Sequence, residues 1–160
     1  MSTTEKVLVP MDGSPQAEAA LVHALTLPDV TITLLTVIDP FDTRPEETGY
    51  HSPVGRAGMP GYSEEWYEPT KARIRERFSQ AQGKADARGL TLGTVIEFGD
   101  PARSIVSYSE RNGIDHIVMG SHGRSGLARI LRGSVSETVM RRSVSPVTVV
   151  HDRQVDEESD

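Results

Sequence analysis

The chain predicts an α/β domain, a parallel β-sheet with helices on both faces, and three observations carry that prediction. Short apolar runs alternate with longer amphipathic stretches, the order expected when each strand is joined to the next through a helix. Val7-Leu8-Val9 and Ile117-Val118-Met119 are uninterrupted, as suits strands buried on both faces. Ser14-Pro15 and Gly99-Asp100-Pro101 follow strands directly and supply helix starts, with a side-chain oxygen to satisfy a free amide and a proline that has none to lose. Right-handed crossovers then distribute the helices over both faces.

The elements follow in order. Lys6 to Pro10 is the first strand, and Met11-Asp12-Gly13 turns out of it. Ala17, Ala20, Leu21, Ala24 and Leu25 form the apolar stripe of the first helix, which Pro28-Asp29 closes. Thr31 to Val37, rich in β-branched side chains and leucine, is the second strand. From Asp39 to about Ser63 proline and glycine recur without a period, which predicts a long loop. A helix from about Glu64 to Ala87 buries Ile74, Phe78, Ala81 and Ala85 and stops at Gly89. Thr91 to Phe98 is the third strand. The next helix turns Ala102, Ile105, Val106 and Ser109 inward and ends at Asn112-Gly113. The fourth strand ends at Gly120, a loop of glycine, serine and arginine follows, and a helix begins at about Gly133-Ser134. Pro146 leads into the last strand, Val147 to His151.

A length of 160 residues suits one domain, taken here as 1–152, followed by an acidic tail at 153–160 that is expected to be disordered. Cysteine is absent, which excludes disulfides, thiolate metal sites and cysteine nucleophiles. A net charge of -6 argues against nonspecific nucleic-acid binding by the surface as a whole. The N-terminal stretch lacks a signal-peptide core and no apolar run reaches membrane-spanning length, so a cytoplasmic location away from membranes is expected.

Open parallel sheets bind ligands beyond the C-terminal ends of their strands, where the strand order reverses. If the first and fourth strands are neighbours there, Asp12 and the Gly120 loop flank one crevice. Asp12 is negative and does not suit phosphate without a metal; it suits a ribose hydroxyl or a base amine, or serves only as a turn former before Gly13. Val37 offers backbone contacts or an apolar wall for a base. A strand, a glycine-supported loop and a helix start make a recipe for phosphate, since glycines let the backbone approach an anion and successive amides point inward. Gly120, Gly123 and Gly133, the hydroxyls of Ser121 and Ser134, and Arg124 are the candidates for that end. Charge-assisted bonds of this type contribute about 1.5–3 kcal/mol each. Pro10 and Val135 border the two ends and complete the predicted binding set.

These residues resemble the universal stress protein family in its single-domain, UspA-like, nucleotide-binding form. Gly120-Ser-His-Gly123, nine residues, then Gly133-Ser134 matches the family pattern G-x2-G-x9-G-S/T. VPMDGS matches its first strand and following aspartate, and GDPARSIV its third helix entry. The resemblance covers the chain apart from Asp39–Ser63 and the acidic tail. It implies an open twisted five-stranded sheet of order 3-2-1-4-5, Rossmann-like and of the adenine nucleotide alpha hydrolase-like kind. It also implies ATP in the crevice, with a divalent cation such as Mg2+ in some members. Asp12 and Val37 would contact the adenosine end, and Gly120, Gly123, Gly133 and Ser134 the phosphates. The resemblance implies, further, a homodimer in which the last strands meet. An edge of Val147-Thr148-Val149-Val150 is an aggregation hazard that pairing with its copy removes.

Other α/β readings fit less well. A receiver domain needs an acidic cluster after the first strand and a lysine after the last; neither is present. MDGSPQ does not supply GxGxxG, and no Walker A sequence occurs. An SGG-type pyrophosphatase loop after the first strand is missing as well. No nucleophile, base and orienting group stand out as a set. His122 reads as a loop donor, His116 as sheet packing and His23 as a helix surface residue. A nucleotide-responsive stress regulator is therefore expected, with a slow ATPase and a dimeric scaffold without nucleotide as alternatives.

Overall fold

The structure, a computed structural model, describes residues 4–40, 67–121 and 135–151. The strands are β1 (Glu5–Pro10), β2 (Val30–Ile38), β3 (Leu92–Phe98), β4 (His116–Gly120) and β5 (Val147–Val150). The helices are α1 (Pro15–Ala24), α2 (Glu68–Asp86), α3 (Pro101–Arg111) and α4 (Val135–Arg142). All strand pairs are parallel and the order is β3-β2-β1-β4-β5, as the resemblance implies.

Strand alternation divides the core into two layers. Val7, Val9, Ile32, Leu34 and Val118 face α1 and α2, where they meet Ala20, Leu21, Ile74 and Phe78. Leu8, Leu35, Ile117 and Met119 face the other way, toward Ala102 and Ile105 of α3 and Val139 of α4. Each large aliphatic side chain so enclosed contributes about 1.5–3 kcal/mol relative to exposure. The layers hold the sheet rigid from both sides, so the turns at its rim start from fixed points.

Element ends differ from the expectation by a few residues, for local reasons. α1 stops at Ala24, before Pro28, because its last turn tightens: the amides of Thr26 and Leu27 reach the carbonyls of His23 and Ala24. Asp29 then takes a left-handed φ of 54°, and its carbonyl accepts the Glu5 amide that starts β1. At the end of α2, Gly89 has φ 73° and the Leu90 amide returns to Ala85, a Schellman closure at the predicted stop. The expected inward faces of α2 and α3 are observed, with Val106 partly buried and Thr70 added to the buried side of α2. Apart from Asp39 and Pro40, the predicted 39–63 loop lies outside the described residues, as do the first residues expected of α2 and the acidic tail.

Candidate functional site

From β1 the sheet grows through β2 to β3 on one side and through β4 to β5 on the other. The strand order therefore reverses between β1 and β4, where the topology of an open parallel sheet leaves a crevice. The β1–β4 register pairs Val7 with His116 and Leu8 with Ile117. From there β1 runs on beside β2 to Pro10, and β4 runs on beside β5 to Gly120. Asp12 and Ser121 thus follow the ends of two neighbouring strands.

The turn after β1 is tied down at every residue that matters. The Met11 amide donates to the Leu35 carbonyl at 2.8 Å. The Met11 carbonyl accepts the Thr36 hydroxyl, also at 2.8 Å. Half-buried Asp12 accepts the Ser14 amide on Oδ1 at 2.9 Å, which closes a local turn around Gly13 at φ 85°. Ser14 then caps α1 by accepting the Ala17 amide at 3.1 Å, and Pro15 occupies the first helical position. Asp12 does form the turn, and the same bond holds its carboxylate at the rim of the crevice.

On the β4 side, Gly120 has a packing reason for being glycine. A Cβ there would stand 2.5 Å from the Gln16 carbonyl oxygen and 2.7 Å from Gln16 Cβ, so only glycine lets the start of α1 lie against β4. Ser121 is buried, and its amide donates to the Val150 carbonyl at 2.8 Å. Pro10 closes β1 at the point where the chain leaves the sheet. Val37 and Val135 both pack on the layer beneath α3 and α4, Val37 from β2 and Val135 from the first residue of α4.

Six of the predicted residues, Pro10, Asp12, Val37, Gly120, Ser121 and Val135, are therefore distributed along the C-terminal rim and its adjoining helix start. Gly123, Arg124, Gly133 and Ser134 lie outside the described residues, with His122. His116 sits at the opposite end of β4, where Nε2 and the Thr148 hydroxyl are 2.7 Å apart, and His23 is exposed on α1.

Sequence reasoning missed Thr36 and Gln16, both buried beside the site. A signal for Thr36 was present: a hydroxyl inside a strand buried on both faces must find a partner. It also missed a group where β3 ends and α2 begins. The Tyr67 and Phe98 rings meet edge to face with centroids 4.9 Å apart, and the Lys71 ammonium lies 5.4 Å from the Phe98 ring. Next to them, Thr70 Oγ1 is buried without a hydrogen-bond partner. Among the described residues, no group of three or more His, Asp or Glu side chains is placed to hold a metal ion. Among the same residues, no helix is long and apolar enough to cross a membrane.

A five-stranded parallel sheet with helices on both faces, and with anchored turns at its order reversal, defines a Rossmann-like α/β domain. The chain belongs to the universal stress protein family, whose model matches residues 3–151. It is 34% identical over 153 residues to universal stress protein MJ0577 of Methanocaldococcus jannaschii, covering 91% of this chain and 94% of that protein. The solved structure of MJ0577 superposes with a TM-score of 0.72 over 92% of this chain and 95% of that one, at 31% identity. A universal stress protein solved in complex with cAMP superposes with a TM-score of 0.64 at 25% identity, covering 94% of this chain and 99% of that one.

Proposed function

We propose that this chain binds an adenine nucleotide, ATP, in the crevice between the ends of β1 and β4, and that it serves as a nucleotide-responsive regulator of a cytoplasmic stress response. The observation that carries this reading is the anchored Asp12 turn after β1, next to the strand, β4, that ends in Gly120, at the strand-order reversal. A carboxylate held at that point suits a ribose hydroxyl or an adenine amine, and Val37 on the neighbouring strand suits a wall for the base. In this reading Gly120, Ser121, Gly123, Arg124, Gly133 and Ser134 serve the phosphates, with a divalent cation such as Mg2+ accompanying them. Pro10 and Val135 flank the two ends. The cAMP-bound relative supports an adenine nucleotide as the class of ligand.

The same reading includes a homodimer through β5. All four residues of β5 are only partly buried, and β5 closes one side of the sheet. Met140 and Val144 expose apolar surface before it in the chain, Val144 at 80%. Burying such an edge against its copy removes unpaired amides and apolar side chains from water together. Sedimentation of wild type as a dimer, and of Val144→Asp as a weaker one, is the expected outcome; a monomeric wild type rejects the dimer.

Mass spectrometry of small molecules released on denaturing freshly purified protein, followed by calorimetry with ATP, tests the nucleotide reading. An adenine nucleotide should be released, and Gly133→Val should abolish most of the ATP affinity while the protein stays folded. Undiminished affinity in Gly133→Val removes the phosphate assignment.

A further inference from the structure

We infer that Thr36 is a positioning residue for the nucleotide crevice, setting the direction of the Asp12 carboxylate from a place where no ligand touches it. The inference rests on the proposed nucleotide reading. Within β2, Leu35 and Val37 face the α3 and α4 layer, whereas Thr36 shares the opposite parity with Leu34 and Ile38, toward α1 and α2. Its exposure is 1%, so ligand contact is not its role. The layer on that face is a hydrophobic core cluster, whose packing does not by itself call for a hydroxyl. The hydroxyl therefore requires a separate reason, and its hydrogen bond supplies one.

Thr36 Oγ1 donates to the Met11 carbonyl at 2.8 Å. That carbonyl belongs to the peptide unit joining Met11 to Asp12, so holding its oxygen fixes the plane from which the Asp12 backbone departs. The preceding peptide is held as well, because the Met11 amide donates to Leu35. Two consecutive peptide units of the β1 exit are thus tied to two consecutive residues of β2. The next residue of β2 is Val37, the proposed wall for the base. One strand therefore sets both the carboxylate and the apolar wall, and Thr36 supplies a side chain to that tie.

Removing the hydroxyl leaves the Met11 carbonyl without this donor in a buried place, and the peptide can then rotate to seek another. Thr36→Val tests this, with Thr36→Ser as the variant that keeps the donor and Thr36→Ala as a second hydroxyl-free variant should valine fail to fold. Hydrogen exchange at the Ser14 amide, which reports the Asp12 turn directly, should accelerate about tenfold in Thr36→Val and return toward wild type in Thr36→Ser. The dissociation constants for ATP and for adenosine should rise by the same factor, about tenfold. In an Asp12→Asn background, Thr36→Val should add little further loss, because the group it positions is already changed.

An unchanged Ser14 exchange rate overturns the inference, and so does an equal loss of affinity in the Asp12→Asn background. If wild type binds neither adenosine nor ATP, the nucleotide reading fails instead. The exchange comparison then decides alone whether Thr36 positions Asp12.

Discussion

After β1 the chain runs Met11-Asp12-Gly13-Ser14-Pro15 into α1; after β3 it runs Gly99-Asp100-Pro101 into α3. Both turns bend through a glycine at positive φ, 85° at Gly13 and 146° at Gly99, and both are tied by an amide to a β2 carbonyl. They differ in what caps the helix. Asp100 is itself the cap of α3, accepting the Arg103 amide at 2.9 Å, and it is exposed. In the first turn Ser14 caps the helix, so Asp12 stands two residues earlier, half-buried and braced by the Ser14 amide. A serine at the cap relieves the aspartate of that structural duty. The pair teaches that an aspartate before a helix is informative only once the group capping the helix is known.

The comparison can be broken at several points. The largest effect is expected from Gly120→Ala, which forces a methyl into the backbone of Gln16 and pushes the start of α1 away from β4. Overpacking against backbone should cost about 3 kcal/mol in urea unfolding. Asp12→Ala should weaken ATP binding by about 1.5–3 kcal/mol in calorimetry. Asp100→Ala should leave that affinity alone and lower stability by about 1 kcal/mol through loss of the cap. If Asp100→Ala weakens ATP binding as much as Asp12→Ala, the two aspartates are not functionally distinct.

Gly99→Ala probes the second turn from its backbone. At φ 146° an alanine is strained, and its methyl would lie 3.1 Å from Ser104 Oγ, so a loss of about 1–2 kcal/mol is expected in the same unfolding experiment. The smallest effect belongs to a second pair of residues. Thr36 and Thr70 are both 1% exposed, but Thr36 is bonded and Thr70 Oγ1 is not. Thr70→Val should therefore raise the free energy of unfolding, by up to about 1 kcal/mol, while Thr36→Val lowers it. Equal signs for the two substitutions would remove the significance given to the bond.

Much of this fold was legible because its signals are local. Ser14-Pro15 and Asp100-Pro101 cap helices through atoms within three residues, so their roles follow from short-range chemistry. Gly89 and Gly113 mark helix ends by their own positive φ. The site was legible only in outline. Gly120 stood out through its spacing from Gly123 and Gly133, yet the glycine is also required by α1, which touches it from more than a hundred residues earlier in the chain. Thr36 looked like one more β-branched strand residue, because its partner at Met11 lies in another element.

The amino-acid sequence by itself determined the alternation of strands and helices, the faces they bury and the turns that start the helices. Each of these depends on periodicity or on neighbours within a few residues. Only the tertiary structure decided which strand ends meet, that Gly120 makes room for Gln16, and that β2 holds the turn bearing Asp12. Those contacts join residues distant in the chain, so their physical cause, a shared wall or a shared hydrogen bond, exists only once the sheet has assembled.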